Sequence, residues 1–202
     1  MSGNDVQARY IGPAASDDNG ISAAATLSGA GNLTIGGALA DGGSVTLDDA
    51  RNIIITSAGD DRGDTFTVTG TDETGAAQTE AITGANAGIA TGSSYFTTIT
   101  QIACSGATTG DVEAGTGTAV AAKVTVNRVR LRGLQYAGNT TGGVIEARNS
   151  SATGSVLYKF DSGAVAEVVY PTIPDDGIVF SAGVYFVYTQ TAVVSLTAFY
   201  EG

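Results

Sequence analysis

The chain predicts an all-β protein: an antiparallel β-sandwich of jelly-roll-like form, with glycine-rich turns and little or no helix. Three observations carry that expectation. Short runs rich in Thr, Val and Ile alternate polar and apolar residues, as a half-buried strand requires. Gly is abundant, at 29 residues of 202, and falls between those runs, where tight turns need it. Residues that favour surface helices are scarce, with one Met and only nine Lys and Arg together.

The elements follow in order. Residues 1–28 are rich in Ala, Ser, Gly and Asp, with Tyr10, Ile11 and Ile21 as large apolar anchors. They read as an extended N-terminal arm of the kind that orders on a neighbouring subunit. An acidic β domain is expected over 29–122. Asn32–Ile35 and Ser44–Leu47 alternate and are bounded by glycines, and Ile53, Ile54 and Ile55 mark a buried strand. Thr65-Phe66-Thr67-Val68-Thr69 alternates strictly, with Gly70–Gly75 as the turn and Gln78–Thr83 as the return strand of a hairpin. Tyr95–Ile102 alternates again, and residues 105–118 read as a loop or weak strand.

The third region, 123–202, is expected to be a β-sandwich, jelly-roll-like domain. Lys123–Leu134 reads as one long strand with a face shift near Asn127 that suggests a bulge. Six further strands follow at short spacing, separated by turns such as Asp161-Ser162-Gly163 and Pro174-Asp175-Asp176-Gly177. Most of the aromatic residues lie here, so this region is expected to pack better.

Charge narrows the function classes. The net charge is −11, and charged residues make up only 14% of the chain. The imbalance lies wholly in residues 1–122. An acidic chain of this kind does not coat nucleic acid on electrostatic grounds. A surface poor in charge suggests coverage by partners. No apolar run approaches a membrane span, and the first residues lack the pattern of a signal peptide, so a soluble protein made in a cytoplasm is expected.

The chain has no histidine, which removes Ser-His-Asp and Cys-His catalysis and the commonest zinc sites. The single cysteine, Cys104, has no partner for an intrachain disulfide and reads as a buried apolar filler. No cofactor is expected. Carboxylates cluster at Asp48-Asp49, at Asp60-Asp61 with Asp64, at Asp72-Glu73 and at Asp175-Asp176. Paired acids suit glycoside hydrolysis, and the Asp60, Asp61 and Asp64 set suits calcium, although it does not match an EF-hand. Turn chemistry, in which Asp accepts from nearby backbone amides, is the preferred reading. Arg62-Gly63-Asp64 spells an adhesion tripeptide and is read as a turn.

Lys123, Arg128, Arg130 and Arg132 concentrate four bases within ten positions. With 128, 130 and 132 on one face of a strand, the cluster reads either as a docking stripe for an acidic partner surface or as a solvated face that guards a sheet edge. It is the candidate protein-interaction site.

The segment Asn52–Gly84, NIIITSAGDDRGDTFTVTGTDETGAAQTEAITG, its continuation ANAGIATGSSYFTTITQI, and the ending Ala198-Phe199-Tyr200-Glu201-Gly202 resemble stretches recurrent in structural proteins of tailed bacteriophages. The resemblance covers most of residues 30–202 and implies no catalytic residues. It implies a virion component: a capsid decoration (cement) protein on the outer surface of the phage head, or a tail or fibre part. The expected partners are the major capsid protein and further copies of the chain, as a homotrimer, with no nucleic acid and no membrane. A polysaccharide-degrading enzyme is the alternative from another class.

Overall fold

The computed structural model describes residues 5–202. It is all-β, with seventeen antiparallel strands and no helix among the described residues. In chain order these are β1 (Gln7–Ile11), β2 (Asp17–Ala25), β3 (Gly31–Asn32), β4 (Ala40–Asp41), β5 (Ser44–Asp60), β6 (Thr65–Thr71), β7 (Ala77–Thr83), β8 (Asn86–Thr91) and β9 (Phe96–Cys104). They continue with β10 (Val112–Thr125), β11 (Val129–Gly138), β12 (Val144–Asn149), β13 (Val156–Asp161), β14 (Val168–Val169), β15 (Ile178–Phe180), β16 (Val184–Thr189) and β17 (Val193–Glu201).

The chain divides into two compact units. The acidic unit is Ser16–Thr118, and the terminal unit joins the residues up to Ala15 with Ala119–Gly202. These limits differ from the expected divisions after 28 and after 122. Residues 5–28 are not free of structure, because both halves of that segment find strand partners far along the chain. β1 pairs with β17, from Gln7↔Tyr200 to Ile11↔Leu196, and buries Ile11. β2 pairs with the first half of β10 and buries Ile21. Residues 112–118 accordingly belong to a long strand, where a loop or weak strand was expected.

In the acidic unit the β6–β7 hairpin forms with the expected alternation. Its register runs from Thr65↔Thr83 to Thr71↔Ala77, and Phe66 and Val68 are fully buried. The connection is built on Asp72. Its Oδ1 accepts from the backbone N–H groups of Thr74, at 2.8 Å, and Ala76, at 2.9 Å, and from the Thr74 hydroxyl, at 2.7 Å. β9 pairs on the other side of β6, and β8 and β9 both pair with β5. Ile53, Ile54 and Ile55 are all buried, so this stretch of β5 is covered on both faces and shows a continuous apolar run where a half-buried strand would alternate. Phe66, Phe96, Ile99 and Ile102 complete the core. A fully buried side chain of this size contributes about 1.5–3 kcal/mol over an exposed one.

The terminal unit is a sandwich. One sheet runs β1-β17-β11-β14, with β15 also on β11; the other runs β13-β12-β16 and the second half of β10. Leu131, Leu134, Phe180, Leu196, Ile145 and Phe186 meet in its core. The expected single strand from Lys123 to Leu134 is two strands. β10 ends at Thr125, and the Thr125 hydroxyl accepts from the Asn127 backbone N–H at 3.2 Å in the turn that follows. The bulge exists, but at Arg132: Leu131 pairs with Tyr200 and Gly133 with Phe199, leaving Arg132 as the extra residue. This shifts the phase of burial from Val129 and Leu131 before the bulge to Leu134 and Tyr136 after it.

Candidate interaction surface

The basic cluster does not form one stripe. Arg128 lies in the turn before β11 and is exposed, and Lys123 is exposed near the end of β10. Neither side chain makes a hydrogen bond or ion pair among the described residues. Arg130 and Arg132 are brought together, but toward their own chain. Each reaches the Pro174–Gly177 turn, Arg130 donating to the Asp176 carbonyl and Arg132 to the Asp175 carbonyl at 3.0 Å. Arg132 also pairs with Glu201 at 3.3 Å. Alternation along β11 places Arg130 and Arg132 on the same outer face, and the bulge at Arg132 changes the phase only of the residues after it. The turn is closed by the Gly177 N–H donating to the Pro174 carbonyl at 2.6 Å. Gly177 has φ +70°, and a Cβ there would stand 2.5 Å from the Leu131 carbonyl oxygen. Half of the cluster therefore latches a loop, and Lys123 and Arg128 are the two bases left for an external contact.

The carboxylates near residue 60 go to separate partners. Asp60 accepts two hydrogen bonds from Arg62, at 2.8 and 2.7 Å. Those bonds hold its carboxyl down at about 2. Asp61 is fully buried and accepts from the Thr109 backbone N–H at 2.6 Å. Asp64 accepts from the Ser105 hydroxyl at 3.4 Å. Arg62 and Gly63 are the central residues of a turn closed by the Asp64 N–H donating to the Asp61 carbonyl at 2.9 Å. Among the described residues no three His, Cys, Asp or Glu side chains form a group able to hold a metal ion. In Asp175 and Asp176 it is the backbone carbonyls that are engaged, by the two arginines.

Cys104 is buried, and burial raises its thiol above the ordinary range. On the outer face of β12, Glu146 pairs with Arg148 and with Lys159, the latter at 3.4 Å. Burial pushes the Glu146 carboxyl up, but the hydrogen bonds and charges of Arg148 and Lys159 outweigh it and leave the group below its ordinary value.

The charge segregation read from the sequence holds between the two units, and what sequence reasoning missed is where the exposed apolar surface falls. The acidic unit holds 13 Asp and Glu against two Arg, a net charge of −11, whereas the terminal unit holds seven acids and seven bases. Among the described residues eleven large apolar side chains are exposed; ten belong to the terminal unit, and Ile89 alone to the acidic one. Tyr10 and Tyr170 are the most exposed, at 68% and 69%. Alternation along each strand is the signal that places Tyr10 opposite Ile11, and Tyr170 is flagged by Pro171, which restricts the residue before it to extended backbone.

No protein-family model matches the chain, and comparisons with curated proteins and with solved structures find no match.

Proposed function

We propose that this chain is a non-enzymatic structural component of a virus particle, a capsid decoration protein that seats on the outer surface of a phage head and stabilises it. The observation that supports this reading is the segregation of surface character. The terminal unit is electrically balanced and carries ten of the eleven exposed large apolar side chains. Such a surface buries favourably against protein. The acidic unit carries the whole net charge, which keeps loaded particles dispersed. The mechanism is area burial against the major capsid protein and against other copies of the chain at three-fold positions of the shell, with Lys123 and Arg128 contributing contacts to acidic partner surface.

The test is a cryo-EM map of the purified particle together with the heat stability of heads with and without the protein. Density on the outside of the shell and a lower rupture temperature without the protein are expected. Density confined to the tail, or heads of unchanged stability, overturns the decoration reading.

A further inference from the structure

On the outer face of the β1-β17-β11 sheet lies a shallow depression of about 150 Å³ whose lining contains no charged residue. Register places Tyr10, Thr197 and Gln135 in one row across three neighbouring strands, and Ser195, Ala137 and Val168 in the next. Strands about 4.8 Å apart make the first row roughly 10 Å long.

Two aromatic rings are held at this face. A Cβ at Gly12 would stand 2.5 Å from the Tyr10 hydroxyl oxygen and 2.6–2.7 Å from two of its ring carbons, so the absence of a side chain there lets the tyrosine lie against the backbone. The hydroxyl end of Tyr10 is thereby held at Gly12 while the residue stays 68% exposed. The Tyr170 hydroxyl accepts from Gln135 Nε2 at 2.9 Å, which fixes the second ring beyond the row, and that residue is 69% exposed. The Ser195 and Thr197 hydroxyls make no hydrogen bond among the described residues, and Gln135 keeps its amide oxygen as an acceptor.

We propose that this face is a binding site for a neutral oligosaccharide. Tyr10 and Tyr170 supply apolar platforms for the C–H faces of sugar rings, a use suited to aromatic residues held at the hydroxyl end with most of the side chain in solvent. Gln135, Ser195 and Thr197 exchange hydrogen bonds with sugar hydroxyls. The uncharged lining favours a neutral ligand over phosphate or uronic acid, for which a basic side chain would be needed. A flat apolar partner is disfavoured because it would leave the two hydroxyls and the amide oxygen buried and unpaired. This assignment reserves Tyr10, Val168 and Tyr170 for the ligand and leaves the other seven exposed apolar side chains of the terminal unit to the decoration reading.

The experiment titrates the full chain with maltotriose, cellotriose and chitotriose up to millimolar concentration, following backbone amide shifts by NMR. At least one trisaccharide is expected to bind saturably, moving the amides of Gln135, Ser195 and Thr197. Tyr10→Ala and Tyr170→Ala are each expected to weaken binding about tenfold. Gly12→Ala, which removes no contact group but displaces the Tyr10 ring, is expected to weaken it in the same direction. Unfolding midpoints of the three variants, compared with the parent, identify any loss that comes from misfolding. Absence of shifts with all three sugars overturns the proposal, as does full affinity in a folded Tyr10→Ala variant. Protein-concentration-dependent broadening confined to this face, without sugar binding, would overturn it in favour of a second copy.

Discussion

Replacing Gly177 by Ala tests the latch between the Pro174–Gly177 turn and β11. Two costs act together. A φ of +70° is a left-handed conformation that costs an alanine about 1 kcal/mol or somewhat more. The new methyl would also stand 2.5 Å from the Leu131 carbonyl oxygen and 2.9 Å from Arg130 Cγ. Arg130 can swing aside, but the carbonyl belongs to a strand paired on both sides, so relief of that contact requires a backbone shift of about 1–3 kcal/mol. The lower entropy of an unfolded alanine chain offsets about 0.4–1 kcal/mol. The expected net loss is about 2–3 kcal/mol. Gly163→Ala is the control in the same unit: its φ is +66°, but the nearest atom a Cβ would meet is Val165 Cγ2 at 3.7 Å. That variant carries the conformational cost alone, about 1 kcal/mol or less after the same offset. The assay is urea unfolding followed by far-UV circular dichroism and tyrosine fluorescence, since the chain has no Trp. Equal losses in the two variants, within about 0.5 kcal/mol, would refute the close approach of the turn to β11.

Three further outcomes are expected. An NMR pH titration should place the Asp60 carboxyl midpoint at about 2, and Arg62→Gln should return it toward the ordinary value of 3.8. Glu146, lowered by Arg148 and Lys159, contributes stability that is present above the ordinary value of 4.5 and lost as the pH falls through the folded-state value. Urea midpoints across that acidic range should therefore fall more steeply in the parent than in Glu146→Gln. The Cys104 thiol, buried and raised by burial, should react with a thiol reagent only as the acidic unit unfolds, so its labelling rate should rise in step with urea unfolding; rapid labelling of the native chain would contradict the burial.

Fold class was legible because side-chain period and turn chemistry are local. Strict alternation in Thr65–Thr69 and a turn signal over Gly70–Gly75 predicted the β6–β7 hairpin, whose connection the structure places between Thr71 and Ala77, and scarcity of long helix-forming side chains left no competing element. The three isoleucines at 53–55 announced a buried strand for the same reason. Positions governed by distant pairing were not legible. Nothing within residues 5–28 indicates that β1 lies on β17 or that β2 lies on β10, because those hydrogen bonds are made by backbone that every residue shares.

The basic cluster shows the boundary between the two kinds of information. The sequence by itself determined that four bases fall within ten positions and that the chain's net charge lies in its first part. Only the tertiary structure decided what those bases face. The break between β10 and β11 at residues 126–128 divided the cluster, so that Arg130 and Arg132, on one face of β11, hold the 174–177 turn while Lys123 and Arg128 stay in solvent. The same holds for Tyr10 and Tyr170, which are 160 positions apart and meet one sheet face through the register of β1, β17 and β11. The physical reason is the two-residue period of a strand. A single inserted residue reverses which face every later side chain takes, and which strands become neighbours depends on burying the whole apolar set at once.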